Sequence, residues 1–77
     1  MTKVNAREVL RGISDHIEDN GYAPTLREIR TTLGLSSHSV AAYHLMKLRH
    51  LGYVHYKDGI PRTLTITSEG TEYLQGR

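Results

Sequence analysis

The 77-residue sequence predicts a mainly α domain with a small β-hairpin, in the order H-H-H-E-E-H. Three observations carry this. Apolar residues recur at helical spacing in three successive segments. Only a Gly-Leu-Ser-Ser turn separates the short second segment from the longer third. Past Gly52 the apolar spacing falls to about two, around an Asp-Gly turn. Two helices joined by a short glycine-containing turn, with a hairpin after them, make a winged helix-turn-helix.

The first helix is predicted over about residues 5–20, where Val9, Leu10, Ile13 and Ile17 share one side. Asn5 can cap its start, and Asn20-Gly21 supplies the left-handed turn that ends it. Pro24 then holds Ala23 extended. Thr25 and Glu28, three apart, form a capping box for a second helix over residues 26–33. Leu26, Ile29 and Leu33 line it, and Gly34 stops it. Ser36 or Ser37 can cap the third helix, Ser37 being the preferred one, and this helix runs over about residues 38–51.

The wing is predicted over about residues 53–66, with "YVHY" and "RTLTI" as strands and "KDGIP" as the turn between them. Tyr53 and Tyr56 read as packing residues, and Tyr22 as a lid over the first helix. Thr67 or Ser68 caps a last helix over about residues 68–74. Its Tyr73 and Leu74 can pack back on the core, or the helix can serve as a small dimer contact. No repeat, linker or low-complexity tract interrupts residues 1–77, which read as a single domain.

Composition bounds the function. A core this small leaves little room for an enclosed active site, which favours a binding module over an enzyme. With no cysteine there is no disulfide framework and no thiolate metal site. Neither a membrane-length apolar run nor a signal peptide at residues 1–4 is visible, so a cytoplasmic, nucleoid-associated protein is expected. Net charge is only +2, but its distribution is uneven. Residues 24–66 carry +4, from Arg27, Arg30, Lys47, Arg49, Lys57 and Arg62 against Glu28 and Asp58, while the flanks carry −2. Four of the five histidines also fall in this middle. A basic centre fits a directed polyanion-binding surface as well as a merely solvated basic face.

The third helix separates the two. With Ala41 as the centre of its buried side, His44, Leu45, Leu48 and Leu51 fall within about 80° of it. Ser39, Ala42, Tyr43, Met46 and His50 take the far side. A helix in the major groove of DNA needs small or hydrogen-bonding residues in its first turns, where it approaches the base edges most closely. Ser39 can donate or accept there, the methyls of Val40 and Ala42 can meet a thymine methyl, and the Tyr43 hydroxyl can reach a base or phosphate. Free amides near Ser37 and His38 suit a phosphate. Arg27, Arg30, Lys47 and Arg49 are placed to flank the groove, with Lys57 and Arg62 at the tip and return of the wing. A face rich in tyrosine and methionine also suits a protein–protein interface. His44 reads as a core histidine bonded to a backbone carbonyl.

The histidines do not read as a metal site. His38, His44 and His50 are six apart and scatter around a helix, whereas a helical pair of ligands needs a spacing of about four. Ser, His and Asp are present without a nucleophile elbow, Gly-rich loop or carboxylate pair, so no catalytic residue, cofactor or small-molecule ligand is assigned.

The stretch "APTLREIRTTLGLSSHSVAAYHLMKLRHLGYV" resembles the N-terminal DNA-binding domain of the LexA repressor family. The likeness rests on Pro24, Thr25, Glu28, Ile29, Leu33, Gly34, Ser37, Ala41, His44, Leu45, Leu48 and Gly52, and spans residues 5–66. It implies that the first turns of the third helix read an operator, through Ser37, Ser39, Val40, Ala42 and Tyr43. Family members that read the SOS operator carry acidic residues where this chain has Ala42 and Tyr43, so a different operator is expected. The family's serine–lysine peptidase domain, with its self-cleavage and main dimer contacts, is expected to be absent from this stand-alone domain. The tail "LTITSEGTEYLQGR" looks like the ending of many other winged-helix regulators.

The expected function is sequence-specific binding of double-stranded DNA by a bacterial or phage repressor acting through operator occlusion, with pairing on a two-fold operator. The alternatives are a protein-interaction module, or an architectural factor in phage or plasmid replication, excision or partition.

Overall fold

The computed structural model describes residues 5–76. Its elements follow the expected order: α1 (Ala6–Asn20), α2 (Leu26–Leu33), α3 (His38–His50), β1 (Val54–His55), β2 (Thr65–Ile66) and α4 (Ser68–Leu74). The chain is a winged helix-turn-helix. The expectation of no signal peptide at residues 1–4, and the charges of Lys3 and Arg77, lie outside the described residues.

Every helix starts on a side-chain cap, which satisfies an amide that the helix itself cannot. Asn5 Oδ1 accepts from the Glu8 amide at 2.9 Å, and Ser37 Oγ accepts from the Val40 amide at 3.2 Å. At α2 the capping box is complete: Thr25 Oγ1 accepts from the Glu28 amide at 3.2 Å, and Glu28 Oε1 from the Thr25 amide at 2.9 Å. Between α2 and α3 the chain reverses through Gly34, at φ 64°. The Leu35 amide then donates back to the Arg30 carbonyl at 3.0 Å, and the Leu35 side chain turns into the core.

That core joins Val9, Leu10 and Ile13 of α1 to Ile29 of α2, to Ala41, Leu45 and Leu48 of α3, and to Val54 and Leu64 of the hairpin. Fully buried Ala41 adds no bulk at its centre, so α3 can lie close against both α1 and α2. Leu51, expected on this buried side, is 47% exposed. It sits at the margin of the stripe, past the last helical residue, where the chain turns off into the hairpin.

The wing is less of a ladder than its composition suggests. Only Val54↔Ile66 and His55↔Thr65 pair. Beyond them the Lys57 amide donates to Thr63 Oγ1 at 2.9 Å, and that hydroxyl donates to the Ile60 carbonyl at 3.0 Å. A side chain takes the place of a strand, and Pro61 has no amide to offer. Arg62, at φ 61°, turns the backbone out of the extended path.

The tail helix α4 packs as a fourth core element against α1 and β2. Thr67 starts it, with its hydroxyl oxygen accepting from the Gly70 amide at 3.1 Å and its proton donated to the Gly52 carbonyl at 2.6 Å. Tyr73 stacks on Tyr53 with 4.5 Å between ring centroids, and Arg7 lies 4.4 Å over the Tyr73 ring. Gly70 is buried against the hairpin, where a Cβ would collide with the Tyr53 carbonyl oxygen and lie 2.9 Å from Ile66 Cγ2. Gly70→Ala must therefore push α4 off the sheet, at a cost of about 2 kcal/mol. That outweighs the roughly 1 kcal/mol gained in helix propensity. Thermal denaturation of the variant is expected to show a midpoint at least about 5 °C lower.

Candidate nucleic-acid interface

The stripe of Ala41, Leu45 and Leu48 fixes which side of α3 faces outward. Ser39 is exposed at the far side, Tyr43 is 55% exposed one turn later, and Met46 is 54% exposed beyond it. Val40 and Ala42 are half-buried on the shoulders of the helix. The five residues expected to read bases are thus split between two roles. Ser39, Ala42 and Tyr43 present atoms outward, Val40 also packs against the core, and the Ser37 hydroxyl accepts the capping bond from Val40.

A cleft of about 490 Å³ opens between the first turns of α2 and α3 and the wing. Arg27, His38, Ala42, Lys57, Ile60 and Arg62 are among its lining residues. The structure so gathers one cation from α2, a histidine from the start of α3 and a lysine from the wing around a mainly apolar trough. Arg30 and Lys47 are exposed outside it. The side chains of Arg27, Arg30, Lys47 and Lys57 form no ion pair or hydrogen bond among the described residues. These four charges are available to an incoming polyanion.

The other two arginines are occupied. Arg49 donates from Nη1 to Asp58 Oδ1 at 3.1 Å and lies 4.2 Å over the Tyr56 ring, tying the wing to α3. Arg62, expected from the sequence to reach a phosphate from the return of the wing, turns in this structure to the start of α2. Its Nη1 and Nη2 donate to Glu28 Oε1 and Oε2 at 3.0 and 3.2 Å, and Nη1 also donates to the Ala23 carbonyl at 2.9 Å. The guanidinium lies 4.6 Å over the Tyr22 ring, which itself meets His16 of α1 edge-on. Residues 28 and 62 are far apart in sequence, and nothing local marks them as partners. Glu28 was legible only as a cap. The exposed Ile60 at the tip of the wing was legible only as part of a turn.

Two buried imidazole nitrogens, His16 Nε2 and His44 Nδ1, have no hydrogen-bond partner. The backbone carbonyl expected to satisfy His44 does not meet its ring. The ring instead meets Tyr43 edge-on at 5.8 Å.

The Arg62 fork, followed by the bond from the Thr25 amide, lowers the Glu28 pKa from 4.5 to about 2. A carboxylate with a depressed folded pKa stabilises the fold fully above its unfolded value. That stabilisation is lost as the pH falls from about 4.5 towards 2. Glu28→Gln cannot titrate, so its melting temperature is expected to fall less over that interval than the parent chain's, in paired thermal melts between pH 5 and about 2.

The sequence that builds this geometry is similar to those of known proteins. Residues 1–63 match the family model described as LexA DNA binding domain. The LexA repressor of Lacticaseibacillus casei (strain BL23) is 44% identical over 68 residues, covering 88% of this chain and 33% of that protein. The LexA repressor of Ligilactobacillus salivarius is 43% identical over 76 residues, covering 96% of this chain and 37% of its own length. The LexA repressor of Limosilactobacillus reuteri (strain DSM 20016) is 38% identical over 74 residues, with 96% and 36% covered. The chain thus spans about a third of the length of these curated relatives.

Proposed function

The chain belongs to the LexA DNA-binding-domain family, and from that premise we propose that residues 1–77 act as one domain that binds double-stranded DNA at a specific operator and represses transcription by occupying it. The observation that carries this reading is the outward side of α3, where Ser39 and Tyr43 stand clear while Leu45 and Leu48 anchor the helix. Such a face can enter a major groove without long charged side chains holding it off. Ser39, Val40, Ala42 and Tyr43 read the bases, and Ser37 sets the start of the helix. Arg27, Arg30, His38, Lys47 and Lys57 hold phosphates on either side of the cleft.

The operator differs from one read by glutamates, because Ala42 offers only a methyl and Tyr43 a hydroxyl at those places. A single domain of this size makes a modest interface with DNA, so two copies on a two-fold operator give the affinity that a repressor needs. The work is done in the cytoplasm, at the nucleoid. Among the described residues no helix is long and apolar enough to cross a membrane.

Binding-site selection from random duplexes is expected to enrich a palindrome, and band shifts on it at two salt concentrations then separate the roles. Tyr43→Ala weakens operator binding about tenfold and leaves random-duplex binding nearly unchanged. Lys47→Ala weakens both and lowers the salt slope by about one unit. Equal losses on both duplexes for Tyr43→Ala overturn its role in reading bases. Absence of any enriched site overturns sequence-specific binding.

A further inference from the structure

Arg62 stands in a backbone conformation that side-chain-bearing residues rarely adopt, with φ at 61°. Such a conformation persists only where the surroundings hold it. Three contacts do so: the two-bonded fork to Glu28, the bond to the Ala23 carbonyl and the stack on Tyr22. A fork of two parallel bonds fixes orientation as well as distance, which a lysine at the same place cannot reproduce. Its partner, Glu28, is itself fixed, because Oε1 also accepts from the Thr25 amide in the capping box. The return of the wing is thus clamped to the start of α2, while Arg49 and Asp58 clamp its outgoing arm to α3. Lys57 stands next to the first clamp, its amide donating to Thr63 Oγ1 just past the second, and Ile60 lies between the two; both line the cleft, one an unpaired cation and the other an exposed side chain.

We propose that the Glu28–Arg62 pair is a positioning device that sets the angle of the wing over α3 and so places Lys57 on the duplex backbone. Arg62 acts through Lys57 and does not itself hold a phosphate. This inference rests on the DNA-binding reading above and adds to it a role for the carboxylate that Arg62, a cleft-lining residue, grips.

The sign of one substitution separates the clamp from simple electrostatics. Glu28→Gln removes a negative charge near the DNA and frees an arginine, so a role confined to charge makes binding tighter. On the positioning role the wing loosens and binding weakens. Glutamine at this place still accepts from the Thr25 amide, so α2 keeps its start. Arg62→Lys supplies the second arm, because it keeps the charge and loses the fork.

In band shifts at two salt concentrations, both variants are expected to bind the operator about three- to tenfold more weakly. Each is also expected to lose about one unit of salt slope, as Lys57→Ala does. In a Lys57→Ala background neither is expected to cost much more, since the three residues act as one unit. Hydrogen exchange of the wing amides, read without DNA, is expected to quicken in both while circular dichroism stays unchanged. Equal or tighter binding by Glu28→Gln, unchanged binding by Arg62→Lys, or full additivity with Lys57→Ala overturns the inference and leaves the DNA reading intact. No salt-dependent duplex binding by the unsubstituted chain overturns the DNA reading and the inference with it.

Discussion

Burial of Ala41, Leu45 and Leu48 against Val9, Leu10, Ile13 and Ile29 seals one side of α3 and determines what the other side can be. A helix of 13 residues has little stability of its own in water, so this packing, more than propensity, holds it helical. Rotation about its axis is fixed by the same contact. Shifting the stripe by one residue would swing α3 by about 100°, bringing Ala42 to the centre of the core in one direction and Tyr43 to its edge in the other. The fully buried alanine matters as much as the leucines, since a larger side chain there would force α3 away from both supporting helices. Because the whole apolar side is spent on the core, Ser39, Tyr43 and Met46 are left to meet something outside the molecule.

The parts of this fold that were legible in the sequence are those governed by short-range rules. Asn5, Thr25 with Glu28, Ser37 and Thr67 each act on an amide three residues away, and each helix starts where its cap places it. The apolar stripe of α3 is likewise a matter of spacing along one helix. What spacing does not carry is the pairing of charges across the fold. Six cations between residues 24 and 66 looked alike in the sequence. In the fold, Arg49 and Arg62 hold the wing, while Arg27, Arg30, Lys47 and Lys57 remain unpaired among the described residues. The difference depends on which side chains the turn at Gly34 and the bend at Arg62 bring together. The length of the strands was hidden for a similar reason: Thr63 replaces a ladder bond with a hydroxyl, which strand propensity does not register.

Glu28 joins two levels of this organisation. It completes the cap of α2 and anchors Arg62, so the start of one helix and the return of the wing share a single carboxylate. Local helix formation and long-range placement are thereby coupled. The outgoing arm of the wing has its own tie through Arg49, Asp58 and the Tyr56 ring. A hairpin with only two cross-strand pairs has little rigidity in its ladder, and these two arginines provide what the ladder lacks.

The shortness of that ladder also bears on how the molecule behaves in a crowded solution. Both strands are edges, and a long flat edge would offer a row of unpaired amides and carbonyls to any passing chain. Here the row is two residues long, and it is broken by a proline and a left-handed arginine before a neighbour could extend it. A sheet this brief gives self-association by strand addition little to grow on.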